Sequence, residues 1–168
     1  MSQTTEAMLS ELREEAVTTR RVLDRVPADK LSWRPHIKSM SLGQLALHVA
    51  SIPGNLTKLT QLDEFDASQA NFNPPEPKDI GEIQTTLQQG VRSAEEYLSA
   101  MTESFALANW RLTMRGNELF RKPRIVVLRS ILLNHWYHHR GQLSVYLRLL
   151  DVPVPVIYGR SADENPFA

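Results

Sequence analysis

The chain has 168 residues, of which 42% are hydrophobic and 23% are charged, a composition typical of a globular domain with its own core and not of a disordered segment. Its 19 basic and 19 acidic side chains give a formal net charge of zero, so no positive excess attracts nucleic acid or an anionic membrane surface. Cysteine is absent, which excludes disulfides, cysteine-ligated zinc and a cysteine nucleophile.

The polar, acidic N-terminus, MSQTTEAMLSELREEA, lacks the apolar segment of a signal peptide. No stretch approaches the roughly 20 consecutive apolar residues of a membrane span. We therefore expect a cytoplasmic protein with no membrane association. The sequence shows no internal repeat or composition break, so we expect residues 1–168 to form a single domain.

Two helices are predicted in the first part of the chain. In the first, apolar residues recur at alternating steps of three and four, as on one face of a helix, until Pro27. The second opens at Ser41 with Gln44 three residues later, which is a capping-box pattern. Pro53 removes the amide that the Val49 carbonyl would accept from, so a kink or break is expected there. The first stripe consists of Leu9, Leu12, Ala16, Thr19, Leu23 and Val26.

Two further helices are predicted in the second part. The third begins near Asp79, with Glu82 at capping distance, and reaches about Ser104; the fourth covers about residues 124–150. The proline-rich segment 66–78 is long for a bundle connection and suits a crossover. Residues 108–123 are compatible with a short hairpin that turns at Gly116-Asn117. Beyond Pro153 the tail should run extended over the surface.

The fourth helix contains the segment NHWYHHRGQ. His135 and His139 are one turn apart and share a face with Leu128, Leu132, Gln142 and Tyr146. Their Cβ atoms should lie roughly 5–6 Å apart, so both imidazoles can reach one ion. His138 lies off this stripe and is not expected to join them.

A third histidine, His48, lies on the apolar face of the second helix between Leu45 and Ile52. If the second and fourth helices are neighbours, His48, His135 and His139 can meet on one divalent ion. Three imidazoles with an open position are typical of a catalytic metal site, because structural sites use four protein ligands. Such ligation suits zinc, nickel, iron or copper better than calcium or magnesium.

Other interpretations of these residues stay open. The three histidines can instead be hydrogen-bonded core residues without a metal. Gln142 can orient a ligand or simply pack, and Tyr146 can contact a substrate or bury its ring. Arg140 is expected to be a solvated cation. Three acidic residues near the end of the second helix, whose positions the sequence does not fix, are Asp63, Glu64 and Asp66.

Three stretches of the chain resemble the DinB (damage-inducible) family, including its YfiT-like relatives. The first is WRPHIKSMSLGQLALHVASIPGN, similar to the family's Trp-x-Pro loop and the helix with its first metal-binding histidine. The second is NHWYHHRGQLSVYLRLLDVPVP, similar to the family's fourth helix with a His-x-x-x-His pair. The third is VPVIYGRSADE, which resembles the tail of close relatives. Carried over by position, the family's metal ligands fall on His48, His135 and His139.

The resemblance implies an all-α fold, an up-down-down-up four-helix bundle with a long crossover loop and an extended C-terminal tail. It also implies a homodimer and one zinc or nickel ion with water in the open positions. The expected function is a metal-dependent enzyme acting on a small molecule, either a thiol S-transferase using a low-molecular-weight thiol or a hydrolase. The alternative is a non-catalytic, stress-related metal- or ligand-binding module. No catalytic residue is assigned.

Overall fold

The structure is a computed structural model that describes residues 3–71 and 73–167. It is mostly helical and carries one small three-stranded sheet. The prediction of an all-α fold is therefore wrong in this respect. The α-helices are α1 Gln3–Leu23, α2 Leu42–Gln61, α3 Ile80–Ala100, α4 Glu103–Leu107, α5 Arg124–Val127 and α6 His135–Leu149. A π-helix, Leu128–Asn134, joins α5 to α6, 3-10 turns cover Ala28–Lys30 and Ala67–Gln69, and the strands are β1 Glu64–Asp66, β2 Asn109–Met114 and β3 Asn117–Pro123.

The long helices bury a common hydrophobic core. Helix α3 packs against both α1 and α2, and α6 packs against α2. Helices α2 and α3 approach each other closely at Gly54 and Gly90, where a Cβ added at Gly54 would lie 3.0 Å from the Gly90 Cα. Two glycines therefore let these backbones meet. Fully buried side chains from the long helices include Leu12, Leu23, Leu45, Ile52, Ile83, Leu98, Leu128 and Trp136.

Both predicted N-caps are confirmed. The Ser41 hydroxyl accepts from the Gln44 amide while the Gln44 side chain accepts from the Ser41 amide. The Asp79 carboxylate accepts from the Glu82 amide at the start of α3. These bonds satisfy amides that have no partner inside the helix, so the ends of α2 and α3 are fixed by residues that the sequence already shows.

Helix α2 continues through Pro53 without the break that was one of the expected outcomes. Proline has no amide to donate, so the Val49 carbonyl loses its partner within the helix. The indole Nε1 of Trp136, a fully buried residue of α6, donates to that carbonyl at 2.9 Å. A donor from another helix thus replaces the missing bond and ties α2 to α6.

The sheet is built from the hairpin 109–123 and a short third strand. Strands β2 and β3 pair antiparallel, and the turn between them has positive φ angles of 50° at Arg115 and 84° at Gly116, as tight hairpin turns require. Strand β1, which was not predicted, pairs parallel with β2. It lies in the connection between α2 and α3 that was expected to be a loop throughout.

Residues 124–149 are helical throughout, but they do not form the uniform α-helix that was predicted. Residues 128–134 form a π-helix, whose wider turns hold an extra residue relative to an α-helix. This segment ends directly before His135, so it sets the orientation of α6 relative to α5. Among the described residues, no helix is both long and apolar enough to cross a membrane.

The C-terminal residues 152–167 contain no helix or strand and are fastened to α1 and α6. Arg140 is 1% exposed, and its guanidinium contacts the Glu15 carboxylate at 2.5 Å and the Tyr158 hydroxyl at 2.5 Å. The expectation that Arg140 is a solvated cation is therefore wrong. Arg148 pairs with Asp163 in the same tail.

Candidate metal centre

The two helices that carry the histidines are held in register beside the site. His48 precedes Val49 on α2, and His135 precedes Trp136 on α6. Because the Trp136 indole donates to the Val49 carbonyl, the two histidines adjoin the two ends of one buried hydrogen bond. His139 follows one α-helical turn after His135 and therefore lies on the same side of α6.

The three imidazole rings converge on one point. One nitrogen from each of His48, His135 and His139 lies within 4.8 Å of the other two. The His48 ring centroid is 5.3 Å from that of His135 and 4.4 Å from that of His139, and the last two centroids are 4.5 Å apart. The structure therefore brings together the three residues that the sequence selected. A set of three nitrogens at this spacing could hold a metal ion.

Hydrogen bonds on the far side of two rings orient them towards this point. The Nδ1 of His139 lies 2.7 Å from Gln142 Oε1, an acceptor, and His135 is bonded to the Ile131 backbone. These partners favour the tautomers in which the proton of each ring lies away from the centre. In those tautomers the Nε2 lone pairs of His135 and His139 both point inward and are available to one metal ion. The two Nε2 atoms lie 2.7 Å apart, a distance at which they can otherwise share one proton as a hydrogen bond.

All three rings are held in the neutral form that a metal requires. Burial lowers the pKa of His48 to about 4, with repulsion from His139 and His135 adding to the effect. Burial also lowers the pKa of His135 and of His139, against the hydrogen bonds that each ring makes. Desolvation penalises the charged imidazolium, so the site favours unprotonated nitrogen and does not have to lose protons when an ion binds near neutral pH.

The histidines open onto a cleft of about 580 Å³, which is within the size range of small-molecule sites. Its floor is α2, and its rim is the segment that connects α2 to α3. Among the described residues, the lining contains no acidic side chain. The other lining residues are Met40, Ser51, Ile52, Asn55, Leu56, Ala70, Asn71, Asn73, Pro74 and Pro75.

The remaining candidate residues lie outside the cleft. The Asp63 carboxylate accepts from buried Arg124 at 2.8 Å, Glu64 pairs with Arg111, and Asp66 accepts from the Ser68 amide. None of these carboxylates is placed to act as a general base at the histidines.

The side chains around the histidine pair have separate roles. The Tyr146 ring is partly buried, and its hydroxyl donates to the Met40 carbonyl at 3.3 Å, so the hydroxyl has a partner within the fold. His138 is exposed and is not part of the cluster. Gln142, in contrast, contacts His139, which agrees with the interpretation that Gln142 orients a metal ligand.

Two groups of cleft residues were not singled out from the sequence. Ser51 and Asn55 follow His48 by three and seven residues, so helical spacing could have placed them on the same face. Asn71 and Asn73 belong to the proline-rich connection, whose path depends on contacts with the rest of the fold. No local pattern could have placed them here.

The fold and the histidine cluster define a class of protein. The chain matches the model of the DinB family over residues 1–165, and it belongs to that family. It is similar to the uncharacterized protein YrdA of Bacillus subtilis (strain 168), with 27% identity over 164 residues that cover 98% of this chain and 93% of that protein.

Solved structures of DinB-like proteins share the fold. One from Bacillus cereus ATCC 10987 has a TM-score of 0.70 and 23% identity, covering 91% of this chain and 97% of that one. The YjoA protein from Bacillus subtilis has a TM-score of 0.69 and 17% identity, with coverage of 92% and 99%. A third, from Exiguobacterium sibiricum 255-15, has a TM-score of 0.67 and 20% identity, with coverage of 93% and 97%.

Proposed function

We propose that His48, His135 and His139 bind one divalent metal ion, and that the chain is a metal-dependent enzyme whose substrate enters the adjoining cleft. The observation that supports this most strongly is the convergence of three neutral imidazole nitrogens within 4.8 Å of one another. Two of those rings are also oriented by hydrogen bonds from outside the site, as ligand histidines usually are.

Zinc or nickel is the proposed metal. Imidazole ligands suit these ions, whereas calcium and magnesium prefer oxygen. Three protein ligands leave at least one position for an exogenous molecule, and the cleft gives that molecule access. When bound, such an ion would lower the pKa of a coordinated thiol or water and so supply a nucleophile near neutral pH.

Thiol transfer to an electrophile is the favoured reaction, and hydrolysis is the second candidate. Hydrolysis by an activated water usually relies on a nearby general base, and no described lining residue is an acid. A thiol that has already lost its proton needs no such base. The co-substrate would then be a low-molecular-weight thiol, because the protein has no cysteine of its own.

The wider organisation of the molecule is also proposed by analogy with the DinB family. The long helices α1, α2 and α3 and the helical segment 124–149 would form an up-down-down-up four-helix bundle in a single domain. The chain would assemble as a homodimer, and the cytoplasm is its expected location.

The metal proposal is tested with protein purified without a histidine tag. Elemental analysis should find about one zinc or nickel ion per chain in the wild type and in His138→Ala, a control that removes an exposed neighbouring imidazole. His48→Ala, His135→Ala and His139→Ala should each lose most of it. Less than about a tenth of an ion per chain, with melting unchanged on adding zinc or nickel, would refute the proposal.

The reaction is tested separately on metal-loaded protein, by following loss of free thiol in the presence of a soft carbon electrophile. Turnover by the wild type and by His138→Ala, but not by His139→Ala, supports thiol transfer. A metal-loaded protein that transfers no thiol in a panel of small thiols would instead be a non-catalytic binding module.

A further inference from the structure

A second cavity, of about 510 Å³, adjoins the histidine cleft. The two share Met40, Asn73 and Pro74 in their linings. Gln142, whose side chain contacts His139, also lines the second cavity. A ligand of ordinary metabolite size can therefore occupy both spaces at once, with one end at the histidines.

The second cavity has a positive character that the histidine cleft lacks. Arg34 and Lys38 both line it, and no acidic side chain does so among the described residues. The two linings therefore differ in charge, since no described residue that lines the cleft beside the histidines is an acid, a lysine or an arginine. A cavity lined by two cations and no anion attracts a negatively charged group.

The segment that carries these two cations is fastened at several points. The Gly43 amide donates to the Leu31 carbonyl at 2.8 Å, and the Leu42 amide donates to the Trp33 carbonyl at 2.7 Å. The Trp33 ring packs edge-on against Tyr146 of α6, with centroids 5.7 Å apart. The backbone that holds Arg34 and Lys38 is thereby fixed to both helices that bear the histidines.

Arg34 makes a weak contact that a ligand can replace. Its Nη2 atom lies 3.5 Å from Glu76 Oε1, and both side chains are more than 40% exposed. Exposed pairs of this kind contribute little. The other carboxylate oxygen of Glu76 accepts from the Ser41 hydroxyl at 2.7 Å, so Glu76 has a second anchor when Arg34 turns to a ligand.

The start of α2 also lies in this cavity, but its backbone cannot bind the anion. The amides of Leu42, Gly43 and Gln44 already donate to the Trp33 carbonyl, the Leu31 carbonyl and the Ser41 hydroxyl. Recognition of a negative group therefore falls to side chains, of which Arg34 and Lys38 carry positive charge.

We propose that Arg34 and Lys38 bind the anionic end of the substrate or co-substrate, so that the molecule carrying the reactive group to the histidines is a small organic anion. This inference rests on the proposed function, because it assigns the reactive end of the molecule to the metal. A carboxylate and a phosphate share the required chemistry. A planar guanidinium binds either of them through paired hydrogen bonds.

The experiment uses the full chain loaded with cobalt(II), whose absorption changes when a thiol coordinates it. Dissociation constants are measured for mercaptoalkanoates of increasing chain length, for 2-mercaptoethanol as a neutral thiol, and for 2-mercaptoethylphosphonate. For each variant, the dissociation constant of an anionic thiol is divided by that of 2-mercaptoethanol. Comparing this ratio between variants cancels the differences in thiol acidity, because the same thiols are used throughout. Arg34→Gln and Lys38→Gln should each weaken anionic binding about two- to fivefold relative to neutral binding, and the double variant by about tenfold.

Two control variants separate local recognition from general charge effects. Glu76→Gln keeps an acceptor for Ser41 and removes the competitor for Arg34, so it should strengthen anionic binding. Arg92→Gln removes a more exposed cation that pairs with Glu96 on α3, away from the second cavity, and it should leave the ratio unchanged. The wild type should also prefer one mercaptoalkanoate length, and this preference should disappear in the double variant.

The possible outcomes distinguish this inference from the function on which it rests. If every thiol perturbs the cobalt spectrum but charge and chain length have no effect, the anion site is refuted and thiol binding stands. If no thiol perturbs the spectrum, the thiol function is refuted together with the inference. Stronger selection for the carboxylate series or for the phosphonate identifies which anion the natural ligand carries.

Discussion

The hydrogen bond from the Trp136 indole to the Val49 carbonyl replaces a bond that Pro53 removes from α2. Trp136→Phe keeps an aromatic ring but loses the donor, leaving a buried carbonyl without a partner. Pro53→Ala introduces a backbone amide that can supply the same carbonyl from within α2. The two substitutions should therefore compensate each other.

The size of the effect follows from the burial of the bond. An unsatisfied buried acceptor costs about 1–3 kcal/mol, and the smaller ring adds a packing loss. Trp110→Phe is a matched control for that packing loss, because Trp110 is also fully buried while its Nε1 has no partner among the described residues. Trp136→Phe should therefore lower the free energy of unfolding by about 1–3 kcal/mol more than Trp110→Phe does.

The assay is urea unfolding of the metal-free protein, with circular dichroism to verify that each variant folds. Pro53→Ala should stabilise the protein by about 1–3 kcal/mol more in the Trp136→Phe background than in the wild type. Additivity of the two substitutions within about 0.5 kcal/mol would refute the compensation. A cost of Trp136→Phe equal to that of Trp110→Phe would refute the role of the indole donor itself.

Three further predictions concern the site and the core. Gln142→Ala removes the acceptor that orients His139, so it should weaken zinc binding about 10–100-fold, measured in competition with a chromogenic chelator. The control is Ser144→Ala, because the Ser144 hydroxyl donates to the Gly141 carbonyl and not to a histidine. A change below about threefold in Gln142→Ala would contradict the orienting role. The metal-free protein should lose stability as the pH falls from about 6.5 towards 4: the pKa of His48 is lowered to about 4 in the fold and is near 6.5 in the unfolded chain, so the unfolded state takes up the proton first. His48→Asn should reduce that loss in urea unfolding, and a pH profile parallel to the wild type would contradict it. Gly90→Ala places a Cβ 3.0 Å from the Gly54 amide nitrogen and should destabilise the protein by about 1–3 kcal/mol. A Cβ at Gly141 meets no neighbouring atom within 4 Å, so Gly141→Ala should stabilise the protein by up to about 1 kcal/mol. Both are measured by thermal unfolding, and effects of the same sign would contradict the packing argument.

Much of the site could be predicted because it depends on helical spacing. His135 and His139 share a face of α6 through a separation of four residues, and His48 lies on a face shared with Leu45 and Ile52. Only the contact between α2 and α6 had to be supplied by the fold. The sequence also indicated a free acceptor on α2, since Pro53 leaves the Val49 carbonyl without its donor within the helix, but it did not identify Trp136 as the donor.

Other features depend on contacts distant in sequence. Strand β1 has three residues and pairs with β2, which comes more than 40 residues later, so no local periodicity reveals it. His138 and His139, which precede Arg140, are exposed and half-buried, whereas Arg140 itself is buried by contacts with α1 and the C-terminal tail. The rim of the cleft comes from the connection between α2 and α3, whose position is fixed by bonds such as that from Gln44 to the Pro74 carbonyl.

The π-helix at residues 128–134 decides how the position of the histidine pair responds to chain length. A π-helical turn holds one residue more than an α-helical turn. Loss of one residue from this segment, with a return to α-helical turns, would therefore leave His135 and His139 in nearly the same orientation relative to α5. Loss of one residue from an ordinary α-helical turn would instead rotate everything after it by about 100°, and the pair would leave the face that meets His48. A relative with both histidines and a segment one residue shorter would therefore still be able to close the triad if its helix were α-helical throughout.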